Sequence, residues 1–293
     1  MHWLSKKRYI AGLLLPTLVV YTLYIIAPIF IALYYSFTRY SGIGMAKFVG
    51  LTNYQRLFSD TTFWISVRNT VIILFVDFLL LLVAAFLVAM LLNNSLKYNG
   101  LCKALIFSPA IIAPIIVGII WVYILDPEVG VLNGILDAIG LSGMKQQWIG
   151  GKTLSPYSIA VIYFWQQLGY IVTIYIAGLK MLPEEVLEAA RVDGASPVQK
   201  VLYIIIPMIR TTISTVAVLI ITGVFKIFEI VQQTTGGGPN HMSETLVTYS
   251  YSTTFTNGEY GYGMSLATIT FVFSIIIVGL YQVAARRGEE KEG

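Results

Sequence analysis

The sequence predicts an all-α, polytopic membrane protein with six transmembrane helices, and three observations predict it. Of 293 residues, 57% are hydrophobic and only 12% charged, and the mean hydropathy is +0.76. That is too little charge to cover a soluble domain of this length. Six apolar runs each reach the ~20 residues needed to cross ~30 Å of hydrocarbon. The charged residues gather in the connections between those runs. The chain therefore reads as a short polar start (1–8), a six-span domain (9–285) and a charged tail (286–293), without internal repeats or low-complexity tracts.

The first run, 9–36, follows Lys6-Lys7-Arg8 and far exceeds the ~7–15 apolar residues of a cleavable signal. It is expected to stay as the first span, with Pro16 and Pro28 tolerated because neighbouring helices or water satisfy the freed carbonyls. The second span, 67–92, opens on Arg68-Asn69-Thr70 and carries Asp77 alone among leucines and phenylalanines. A polar turn with Lys97 and Lys103 leads to the third span, 104–125, interrupted by Pro109 and Pro114. The fourth covers 157–180, the fifth 208–233 and the sixth 263–285. Trp3, Tyr40, Trp64, Trp148 and Tyr163 near span ends read as interfacial anchors.

Positive charge sets the orientation. With both termini cytoplasmic, the inner side holds twelve basic residues: Lys6, Lys7, Arg8, Lys97, Lys103, Lys180, Arg191, Lys200, Arg210, Arg286, Arg287 and Lys291. The outer side holds six: Arg39, Lys47, Arg56, Arg68, Lys145 and Lys152. The asymmetry favours N-in, C-in and puts the segment 183–207 in the cytoplasm. A net charge of +4 suits loops beside anionic lipid and does not call for nucleic acid.

Segment 183–207 is the most polar stretch between two apolar ones and reads as helix, tight turn, helix. Pro183 suits a helix start, Glu184 and Glu185 sit at the positive end of the helix dipole, and Gly194 suits a left-handed terminator. Ser196, Pro197 and Gln199 then supply an N-cap, a first-turn proline and a capping-box partner.

Catalytic chemistry is not written into the chain. Gly151-Lys152-Thr153 looks like the end of a P-loop, but the position of its first glycine is Gln146. The single Cys102 precludes an internal disulfide and a zinc cluster, and His2 and His241 lie too far apart for a metal pair, so no metal site is expected. No nucleophile–base pair stands at membrane depth. Polar residues inside spans are costly and mark function by default. In span 5, Thr222, Lys226, Glu229 and Gln233 fall on one helical face. They form either a polar wall of a translocation path or, in Lys226 and Glu229, a self-neutralising pair. In span 4, Gln166, Gly169, Tyr170 and Thr173 share a broad face, with Gly169 leaving room for a ligand or, alternatively, serving helix packing. Tyr262, Ser265 and Thr268 make a weaker stripe in span 6. Asp77 and the Lys226–Glu229 face would be the engine of an ion-gradient-driven secondary transporter, the alternative reading.

Several motifs carry a family resemblance. Glu188-Ala189-Ala190, then Gly194, Ile204 and Ile206-Pro207 at matching spacing, resemble the EAA loop of binding-protein-dependent ABC importer permeases, with Ile206 where leucine is usual. Gly50-Leu51-Thr52-Asn53-Tyr54, Arg68-Asn69-Thr70, Gly130-Val131-Leu132-Asn133, Asp193-Gly194-Ala195 and Thr235-Gly236-Gly237-Gly238-Pro239 are also similar to segments of that family. The match runs from about Tyr9 to Ala285 and is to the sugar-transport branch, first-permease type. The resemblance implies a type I importer permease fold in a bacterial or archaeal cell membrane. It implies a second homologous permease, two ATPase subunits that bind ATP and Mg, and an extracytoplasmic binding protein that delivers a carbohydrate. The chain itself is then no enzyme and binds no cofactor. Glu188, Ala189, Ala190, Asp193, Gly194, Ala195 and Pro207 are implied to couple to the ATPase. Gln166, Gly169, Tyr170, Thr173, Thr222, Lys226 and Glu229 are the candidate substrate pathway.

Overall fold

The computed structural model describes residues 7–93, 99–151 and 153–289. Trp3, Lys6, Lys97, Lys152 and Lys291, which enter the anchor and charge arguments, lie outside the described residues. Among the described residues, four helices are long and apolar enough to cross a membrane: Gly12–Ser36, Thr61–Asn93, Ser155–Lys180 and Tyr260–Arg287. Two bent pairs, Gly100–Ile111 with Pro114–Leu125 and Pro197–Met208 with Arg210–Val224, bring the count to six if each is one span.

Proline explains much of the irregularity. The third span is not one rod: its halves meet at 102°. Pro114 starts the second half and forces Ala113 into an extended conformation with ψ of 135°, because a residue before proline is sterically barred from the helical region. Pro28 and Pro207 each follow a π turn, at Thr22–Ile26 and Val201–Ile205. A widened turn accommodates the ring and the missing N–H that would otherwise break the helix. Beyond Pro207 the chain bends by 73° at Ile209 before Arg210–Val224 begins.

The chain divides into two compact units. One comprises Met1–Phe63 with Tyr249–Val272. In it the first span ends in an antiparallel pair, Thr38–Arg39 with Lys47–Phe48, and a short helix, Thr52–Ser59. Asn53 donates from Nδ2 to the carbonyls of both Ser36 and Thr38, at 2.8 Å each, and the Tyr54 hydroxyl lies 2.7 Å from that of Ser36. The Gly50–Tyr54 motif thus stitches down the end of the first span. Asp60 accepts from the hydroxyls of Tyr249 and Tyr262 and from the Thr62 N–H. Burial pushes its pKa up, but these bonds outweigh burial and hold the carboxyl below its ordinary range. Arg56 pairs with Glu259 at 2.5 Å and lies over the Tyr262 ring. Ser265 and Thr268, by contrast, donate to the carbonyls of Tyr262 and Met264 in their own helix.

The other unit comprises Trp64–Thr248 with Phe273–Gly293. Its core is built on the helix Ser155–Lys180, which contributes Ile159, Ile162, Val172 and Tyr175 against Leu81 and Ala85 of the second span and Val216 and Ile220 of the fifth. Small residues let the helices close up: a Cβ on Gly178 would strike the Thr212 side chain, and one on Gly118 would lie 2.6 Å from Cβ of Gln233. Asn69 donates to the carbonyls of Met242 and Glu244, at 2.9 Å each, and Thr70 accepts from the Leu246 N–H. The motif that opens span 2 therefore clips the end of the glycine-rich loop. Asn133 repeats the device in the loop between the third and fourth spans, donating to Pro127 and Gln146 while its Oδ1 accepts from Trp148 Nε1.

Candidate functional site

The fifth span does not continue to residue 233. Its helix stops at Val224, the last N–H groups of Lys226 and Ile227 reach back only three residues, and a separate short helix runs Glu229–Thr234. The single helical face through Thr222, Lys226, Glu229 and Gln233 is thus corrected. The break allows Ile227, Ile230 and Val231 to bury, with Glu229–Thr234 packed on Pro114–Leu125 through Gly118. No residue in the run signals it; tertiary packing overrides local propensity.

That break opens a cavity of ≈ 330 Å³ between the fourth and fifth spans. Gln166, Tyr170, Thr222, Lys226 and Glu229 line it together with Tyr163, Gln167 and Phe228. Gln166 is 3% exposed; its Nε2 donates to the Ile112 carbonyl at 3.1 Å, and its Oε1 is buried without a partner among the described residues. Lys226 and Glu229 are both exposed and, among the described residues, form no ion pair with each other. Two candidates are elsewhere. Gly169 is filled by protein rather than left for a ligand: a Cβ there would run into the Ile106 carbonyl oxygen and lie 2.7 Å from Cα of Phe107. Thr173 donates back to the Gly169 carbonyl at 2.9 Å. Gln233 packs against Gly118.

Sequence reasoning missed Tyr163 by reading it as an interfacial anchor. It is 9% exposed, its hydroxyl closes on Gly223, and it lines the cavity. The signal was available, since Tyr163, Gln166, Gln167 and Tyr170 recur at helical spacing. Asp77 is fully buried, with neither carboxylate oxygen hydrogen-bonded among the described residues, and it does not line the cavity as those residues define it.

The second feature is the elbow. Glu184–Val192 is helical and Gly194 has φ of +76°. The N–H of Ala195 reaches the Ala190 carbonyl at 3.0 Å and that of Gly194 the Arg191 carbonyl at 3.2 Å, a Schellman closure. Ser196 and Gln199 form a reciprocal capping box ahead of Pro197. Glu188, Ala189, Asp193 and Gly194 are exposed, Ala195 is half-buried and Ala190 is buried. Val192 is 87% and Val198 66% exposed, so a rigid, doubly capped turn presents apolar side chains outward. Pro207 lies two residues before the bend at Ile209.

Apolar spans enclosing a polar cavity, joined by a rigid exposed turn, define a membrane-embedded transport subunit. The chain belongs to the family of binding-protein-dependent transport system inner membrane components, whose family model matches residues 81–289. It is an ABC transporter permease subunit and not itself an enzyme, so the ion-driven alternative falls. It is 33% identical to the probable ABC transporter permease protein PH1215 of Pyrococcus horikoshii, over 97% of each chain. It is 29% identical to the trehalose/maltose transport system permease protein MalF of Thermococcus litoralis, over 96% of this chain and 94% of that one. In fold it is similar to a chain of a bacterial alginate ABC transporter solved with its pentasaccharide-bound periplasmic protein, at TM-score 0.83 and 21% identity, covering 97% and 96% of the two chains.

Proposed function

We propose that this permease translocates a carbohydrate handed over by an extracytoplasmic binding protein. In this reading it forms one half of a permease heterodimer seated on two ATPase subunits, and ATP and Mg bind in those partners. Both termini face the cytoplasm, as the basic-residue asymmetry favours. The observation that carries the reading is the cavity. Amide, hydroxyl, ammonium and carboxylate groups stand beside two tyrosines inside a membrane domain, the mixture of donors, acceptors and aromatic faces that a polyhydroxylated ligand needs. The trehalose/maltose permease among the relatives points the same way.

The elbow supports the coupling. Rigid, exposed and apolar at Val192 and Val198, it suits a cleft on the ATPase, where Glu188 and Asp193 can meet basic groups. Its movement would pass through the bend at Ile209 into the helix Arg210–Val224, whose far end forms the cavity wall. Closure of the ATPase pair would then rock this wall and change the side from which the cavity opens.

The test is reconstitution of the permease pair, ATPases and binding protein in vesicles. Saccharide accumulation is expected only with ATP inside and binding protein outside, and to be impaired in Lys226→Met and Glu229→Gln. Accumulation driven by an ion gradient without ATPase, or wild-type kinetics in both variants, would refute the reading.

A further inference from the structure

The cavity's charge composition narrows the ligand class. Among the described residues, Lys226 and Glu229 are its only charged lining residues. Neither is spent on the other or on another charged residue among those described, so both stand available to a ligand. Their formal charges cancel. The remaining polar groups are neutral: the Gln166 and Gln167 amides, the Tyr163 and Tyr170 phenols and the Thr222 hydroxyl. Thr222 already donates to the Val218 carbonyl at 2.8 Å, and the unpartnered Oε1 of Gln166 can only accept. Asp77 lies close enough to interact electrostatically with Tyr163, and in either protonation state it adds no positive charge.

An anionic ligand would need cationic donors in excess, because a carboxylate, sulfonate or phosphate brings no proton to share and is costly to desolvate beside a carboxylate. A sugar hydroxyl both donates and accepts. It satisfies the ammonium on one side and the carboxylate or Gln166 Oε1 on the other.

Building on the proposed carbohydrate transport, we infer that this cavity passes uncharged saccharides and discriminates against uronates and phosphate esters. Glu229 is the residue that excludes the anionic class, and Lys226 is its counterweight.

The experiment uses the whole reconstituted transporter, so the binding protein is the same in every arm. A mixture of maltotriose, an alginate trisaccharide and glycerol phosphate is offered, and the vesicle contents are identified by mass spectrometry. Wild type should accumulate the neutral sugar at least tenfold over either anion. Glu229→Gln should shift the anionic-to-neutral ratio upward by about tenfold, and Lys226→Met should shift it downward. Binding-protein-stimulated ATP hydrolysis checks that each variant is assembled. Wild-type preference for an anion overturns the inference whatever the variants do, as does a ratio that Glu229→Gln leaves unchanged. If no saccharide accumulates with ATP, the transport reading itself fails, and the inference with it.

Discussion

Gly194 offers a clean measurement, because its φ of +76° lies in left-handed space while a Cβ built there meets nothing within 4 Å. Substitution therefore perturbs the backbone conformation and no contact. Alanine should cost about 1–2 kcal/mol, the penalty for an L-residue in that region, which lowers the population of the intact turn by a factor of roughly 5–30. Asparagine should cost less, since it caps helices in the same conformation, and valine more, since a β-branched residue there is a genuine outlier. Amide exchange of Gly194 and Ala195, whose N–H groups make the Schellman bonds, should quicken in the order Gly, Asn, Ala, Val. Capture of the ATPase by the purified permease pair and ATP-driven uptake should decline in that order, with membrane insertion unchanged. If Gly194→Val retains wild-type exchange, capture and uptake, the assignment of the turn as a strained, function-bearing element is wrong.

Three other expectations follow from buried and half-buried polar groups. Asn69→Asp keeps the shape but turns lone pairs toward the Met242 and Glu244 carbonyls; it should destabilise by about 1–3 kcal/mol and expose the 234–245 loop to protease, more than Asn69→Ala does. Equal resistance of Asn69→Asp and wild type would remove the clip. Asp60, held below its ordinary value of 3.8, contributes stability that is complete at neutral pH and lost only as pH falls below about 4 through the folded value. Unfolding midpoints at pH 7, 5 and 3 should show this acid limb, and Asp60→Asn should flatten it. Asp77→Leu replaces a buried carboxyl that has no hydrogen-bond partner with an apolar side chain and should stabilise the detergent-solubilised protein by about 1–2 kcal/mol. A lower unfolding midpoint would show that the carboxyl is satisfied in solution.

The three asparagines show how far the sequence could be read. Asn53, Asn69 and Asn133 each sit in a short motif legible as a family-like pattern, yet the letters alone said nothing of their task. In the fold each amide donates to two backbone carbonyls. For Asn69 the partners are more than 170 residues away in sequence, a pairing that no local rule supplies. Tyr163 and Lys226 make the same point in the cavity. Periodicity found the polar face of span 4, but the wall from span 5 depends on a helix break that its own residues do not announce.

By itself the sequence determined what short-range chemistry dictates. Apolar runs of membrane length gave the spans, and charge asymmetry gave an expected orientation. The order of Pro183, Gly194, Ser196 and Gln199 gave the elbow with its caps, since each acts on its immediate neighbours. Tertiary structure alone decided where the spans bend, that Gly169 is packed by Ile106, and that Lys226 and Glu229 face one cavity unpaired. Those outcomes depend on which helices meet. Close packing within a membrane is settled by shape between distant segments, and a linear pattern carries no record of that complementarity.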